Sequence, residues 1–179
     1  MSPAIIASVH MVKNKKAGKG FTLIEILVVA SAIILFFGIS LRYFNDFNEL
    51  KKLEVETENL AETLRQARKS AASGDKSQFA TETCILTGYS VIYSSENNKY
   101  SQHAICNGDK LIGEAALPSE IQLCQSGTIT FKQFGLGAIS GSIKLRSARI
   151  NKCREIVIDS SGDINISELI QNCSCLYGN

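Results

Sequence analysis

From Phe21 to Leu41 the only polar side chains are three hydroxyls, Thr22, Ser31 and Ser40, and one carboxylate, Glu25. A helix of that length, rising 1.5 Å per residue, spans about 30 Å, the thickness of a bilayer's hydrocarbon core. Lipid offers the backbone no water, so its N–H and C=O groups must bond within the segment. The run therefore predicts a membrane-length helix, apolar all round. Glu25 is the anomaly in it. On insertion scales an acidic residue costs roughly 2.5–3.5 kcal/mol at a helix centre and less near an end, so this carboxylate asks for a partner.

The flank sets an orientation. Lys13, Lys15, Lys16 and Lys19 precede the run, and residues 1–20 contain no acid. Positive charge on that side predicts a cytoplasmic N-terminus and a C-terminal region beyond the membrane. The residues Gly20-Phe21-Thr22-Leu23-Ile24-Glu25, placed between a basic leader and an unbroken apolar helix, resemble the prepilin-peptidase site of type IV pilins and type II secretion pseudopilins. That resemblance implies cleavage after Gly20, N-methylation of Phe21, and a Glu25 that guides assembly by pairing with a neighbouring subunit's N-terminus. It implies as partners a prepilin peptidase/N-methyltransferase, other pilin or pseudopilin subunits and an inner-membrane assembly platform, with the chain passing from the inner membrane into a pilus or pseudopilus. Two other readings compete. One is a plain signal anchor. The other is a secretory signal peptide cut after Ser40, where Gly38-Ile39-Ser40 has the small-x-small pattern, releasing a soluble protein. Neither gives Glu25 a role. Met11 offers an alternative start for a shorter basic leader.

The remainder reads as one domain. Without residues 1–20 the 19 basic residues become 15 against 17 acidic, a formal charge near −2, which does not announce a nucleic-acid partner. No Gly or Pro occurs between Leu41 and Ser73, and Leu50, Leu53, Thr57, Leu60, Leu64, Ala67 and Ala71 recur at spacings of three and four. The helix is therefore expected to run from Phe21 to about Ser73, with an amphipathic second half and a stop at Gly74. Beyond it the period becomes two. Strands are expected at 85–86 with 89–93, and at 100–106, 121–124, 128–131, 139–145, 155–158 and 164–166, with 111–117 ambiguous and turns at 94–98, 107–109 and 159–163. The expected class is α+β, a long N-terminal helix packed on an antiparallel sheet domain, in four segments: leader 1–20, membrane or filament-core helix 21–41, amphipathic continuation 42–73 and disulfide-bridged β domain 74–179. Leu64-Arg65-Gln66-Ala67-Arg68-Lys69-Ser70-Ala71, Gly88-Tyr89, Ile129-Thr130-Phe131 with Phe134-Gly135, and Ile156-Val157-Ile158 with Gly162-Asp163-Ile164-Asn165-Ile166 are similar to the GspH/FimT minor pseudopilins.

Six cysteines, Cys84, Cys106, Cys124, Cys153, Cys173 and Cys175, lie beyond the membrane run. An even number on that side reads as disulfides, with 15 pairings open. Cys84 and Cys106 flank the first hairpin and could bridge it. Cys173 and Cys175 are too close for easy mutual bonding, which leaves Cys124 and Cys153 to hold the tail. No metal site or cofactor is expected: there is no Cys-x-x-Cys pair, and His103 is the one histidine outside the leader. No nucleophile–base motif is present, so no catalytic residue is assigned. Asp159 and Asp163 read as turn residues. Lys144, Arg146, Arg149, Lys152 and Arg154 form a cationic run that could contact nucleic-acid phosphates, or could be a solvated strand face. FimT-like minor pilins linked to DNA uptake carry their basic motif near the C-terminus, and Gln171 to Asn179 contains no Lys or Arg.

Overall fold

The computed structural model describes residues 20–76 and 85–175. Among them one α-helix is followed by nine strands and a single 3-10 turn (Gln133–Gly135) between the fifth and sixth: α1 (Leu23–Ser73), β1 (Gly88–Ser94), β2 (Lys99–Ile105), β3 (Asp109–Ala116), β4 (Ile121–Leu123), β5 (Gly127–Lys132), β6 (Gly141–Ser147), β7 (Lys152–Ile158), β8 (Ile164–Ile166) and β9 (Ile170–Gln171). The strand pairings are antiparallel, which makes the architecture α+β.

The chain divides into two compact units, Met1–Leu41 and Arg42–Asn179. In the first, the side chains from Phe21 to Gly38 are exposed, Leu23 and Phe36 by 83% and 75%. Together they form an apolar surface that nothing among the described residues covers. α1 is the one helix among the described residues long and apolar enough to cross a membrane.

In the second unit the stripe expected on α1 is the buried one, except for its first residue, Leu50, which is only partly buried. Leu53, Thr57, Leu60, Leu64 and Ala67 are fully enclosed and Ala71 nearly so. The stripe also takes in Ala61 and, unexpectedly for an acid, Glu49. Gly74 ends the helix with φ +62°, where glycine carries no Cβ penalty. Its N–H bonds the Ala71 carbonyl and the Asp75 N–H reaches back to Ser70, the paired closure of a Schellman motif.

Two sheets supply the surface that the stripe packs on. The first has strand order β3-β2-β1-β5; the second has β4-β6-β7-β8, with β9 also pairing β7. Their inner faces contribute Tyr89, Val91, Tyr100, Ile129 and Phe131 from one and Ile121, Leu123, Ile143, Leu145, Ile156 and Ile158 from the other, in one core with the helix stripe.

Ile85-Leu86 is not in a strand, β9 is an addition to the expected elements, and three further differences have a visible cause. Residues 111–116 belong to β3, whose weak pattern follows from its place at an edge, and Leu117 lies just past its end. There Gln102 pairs with Gly113 and His103 with Leu111, leaving Ile112 as a bulge. Bulges bend an edge and discourage foreign strands from adding to it. β6 starts at Gly141, because Ala138 and Ile139 instead hydrogen-bond Ser160 and Thr130. β7 starts at Lys152, three residues early, through a polar stretch that hydrophobic alternation does not mark.

Candidate processing and assembly site

The peptide bond between Gly20 and Phe21 lies outside the helix, and both residues are exposed. α1 begins two residues later, and the cause is local. The Thr22 carbonyl accepts the N–H groups of Glu25 and Ile26 at 3.1 and 3.2 Å, and the Thr22 hydroxyl accepts the Glu25 N–H at 3.3 Å. Thr22 is therefore the N-cap and Glu25 the third helical residue. Thr-x-x-Glu is a capping-box spacing, the signal that identifies Thr22 as part of this site, although the motif reading assigned it no role. A carboxylate in the first turn also faces the positive end of the helix dipole, which offsets part of its desolvation.

The five cations do not form one surface. Lys144 and Arg146 point outward from β6, opposite the side carrying buried Ile143, Leu145 and Ser147. Arg146 donates to the Asn151 side chain at 2.8 Å. Arg154 pairs in register with Leu145, on the side facing α1, and its guanidinium lies 3.6 Å from Glu54. The register puts Lys152 on that side too, opposite Ser147. Arg149, in the turn between β6 and β7, lies 3.8 Å from Asp46. A run contiguous in sequence is thus divided between two faces, and helix carboxylates pair with two of its members.

The tail cysteines do reach back. Cys153 bonds Cys173 and Cys124 bonds Cys175. Cys106 is disulfide-bonded, and Cys84 lies outside the described residues. Cys153 sits on the outer side of β7, opposite Arg146, so after β9 the tail crosses the outer face of the second sheet and is fastened at Cys124, just past its far edge strand β4.

His103 Nε2 and the Ser101 hydroxyl are 2.9 Å apart, but His103 Nδ1 is buried with no hydrogen-bond partner among the described residues. The pair therefore lacks the third group that orients a catalytic imidazole. Asp159 serves its turn: it accepts the Ser161 hydroxyl and the N–H groups of Ser161 and Asp163. The Ser161 hydroxyl, first, and these backbone donors hold its carboxyl below the usual value. Asp163 pairs with Arg68 of α1 at 2.8 Å. No group of three or more His, Cys, Asp or Glu disposed to hold a metal occurs among the described residues.

No family model, curated protein or solved structure matches this chain.

Proposed function

We propose that this chain is a structural subunit, a minor pilin or pseudopilin, of a type IV pilus or type II secretion filament. The observation that carries the reading is the hexapeptide Gly20-Phe21-Thr22-Leu23-Ile24-Glu25 at the mouth of an apolar helix whose side chains have no cover of their own. Cleavage after Gly20 leaves a free amine on Phe21, just ahead of the cap made by Thr22. Before assembly, lipid surrounds the apolar helix. In the filament, neighbouring helices of the same kind replace lipid, and Glu25 pairs with a neighbour's Phe21 amine. An unpaired carboxylate in an apolar bundle is costly, so this pairing favours docking in one register. The disulfide-bridged sheet domain then faces outward. An exposed, non-helical Gly20–Phe21 bond, which a peptidase can engage without unwinding helix, supports the same reading.

The test is the intact mass and N-terminal sequence of the mature protein from its own host. A methylated Phe21 start is expected. A Leu41 start or an uncut chain overturns the proposal. Glu25→Ala is expected to leave processing largely intact and to impair incorporation into filaments; normal incorporation removes the assembly role given to Glu25.

A further inference from the structure

The tail does more than cover the second sheet. Between it and the strands lies a cavity of about 220 Å3, lined by Cys124, Gln125, Ser142, Lys144, Glu155, Ser174 and Cys175. Lys144 and Glu155 stand directly opposite each other across β6 and β7. Opposite charges so placed have Cβ atoms roughly 4.5–5.5 Å apart and ordinarily pair. Here neither side chain makes an ion pair or hydrogen bond with any described residue, and both line the cavity. The other lining side chains, the disulfide aside, are an amide and two hydroxyls, and the amide is turned to the Ser142 carbonyl at 2.6 Å. Both tail disulfides fix the roof, so the cavity exists before any ligand arrives and little ordering is left for binding.

We infer that this cavity is a binding site for a small zwitterion, an α-amino acid with a short polar or absent side chain, whose carboxylate meets Lys144 and whose ammonium meets Glu155. In an α-amino acid the ammonium nitrogen and carboxylate carbon are roughly 2.5 Å apart, close enough to bridge one cross-strand pair. A longer peptide separates its end charges and presents only one of them here. The volume suits a small ligand, since drug-sized pockets run to roughly 300–1,000 Å3. No large apolar side chain lines the cavity, so nothing favours an aliphatic or aromatic ligand. The assignment rests on the β domain alone and is independent of the filament reading.

The test is a titration of the full chain in detergent micelles with glycine and L-serine, followed by backbone amide shifts. Saturable shifts at residues 142–144, 155 and 174 are expected, with half-saturation in the millimolar range. Lys144→Gln and Glu155→Gln should each weaken binding at least tenfold, and Lys144→Glu combined with Glu155→Lys should restore it with the ligand reversed. Sodium acetate and methylammonium chloride, each carrying one of the two charges, should fail to saturate the site. No saturable shift with 100 mM glycine overturns the assignment, as does equal binding of acetate alone or unchanged binding by both single variants.

Discussion

The Ser147 hydroxyl at the end of β6 donates to the Glu49 carboxylate on α1 across 3.3 Å, and both side chains are closed off from water. The nearest cation, Lys52 Nζ, is 3.7 Å from the other Glu49 oxygen. A buried carboxylate with so few partners depends on each one. Ser147→Ala removes a donor and leaves the charge in place, and should destabilise the domain by about 1–3 kcal/mol. Urea unfolding of the full chain in detergent measures this; an unchanged midpoint would show that the bond contributes nothing.

Lys52 also reaches Glu120 at 2.8 Å. That hydrogen bond, first, with the Glu120 backbone, Ser119 and the ammonium's charge, holds the Glu120 carboxyl down at about 2. The folded value lies below the usual 4.5, so the contribution to stability is complete above 4.5 and is lost as pH falls through about 2. Both groups are exposed, which keeps the contribution small. Lys52→Met should move the Glu120 titration back towards 4.5, read from its side-chain carbon shift. A titration still near 2 in that variant would assign the shift to the backbone and Ser119.

The two tail disulfides close loops of different length, with sequence separations of 51 for Cys124–Cys175 and 20 for Cys153–Cys173. Loop entropy alone gives about 4 kcal/mol for the longer and about 3 kcal/mol for the shorter. Replacing the pair Cys124 and Cys175 by Ser should therefore lower the thermal midpoint more than replacing Cys153 and Cys173. The reverse order would mean that the burial of Cys153, which is complete, outweighs the loop term.

Gly88 opens β1 against β5. A Cβ there would collide with the carbonyl oxygen of Phe131, whose position is set by the β1–β5 ladder. Gly88→Ala should destabilise by about 1–3 kcal/mol, because backbone rather than a flexible side chain must give way. Gly113 in β3 has open space in the same position, and Gly113→Ala should fall within about 0.5 kcal/mol of the parent. Equal stability of the two variants would mean that β1 and β5 adjust freely.

The elements legible in the chain alone are those whose signals are local. The three-and-four spacing from Leu53 to Ala71 puts those residues on one face of a helix wherever it packs, and that face is buried. Gly74 supplies the left-handed residue that ends it. Asp159-Ser160-Ser161-Gly162-Asp163 carries its own turn bonds, and Thr22-x-x-Glu25 sets its own helix start. Each of these depends on atoms a few residues apart.

The features that no local signal carries depend on strand neighbours far apart in the chain. β9 and the first half of β7 have little apolar alternation, and they are strands because other strands supply partners for their backbone groups. The pairing of Cys124 with Cys175 and of Cys153 with Cys173 follows from the side of β7 that Cys153 occupies and from where the tail crosses. The cationic run splits because adjacent strand residues face opposite sides, so Arg154 meets Glu54 while Lys144 meets a cavity. Glu49 is buried because β6 brings Ser147 to it from 98 residues away. Periodicity reports which side of an element a residue is on, whereas the order and register of the sheet decide what waits there.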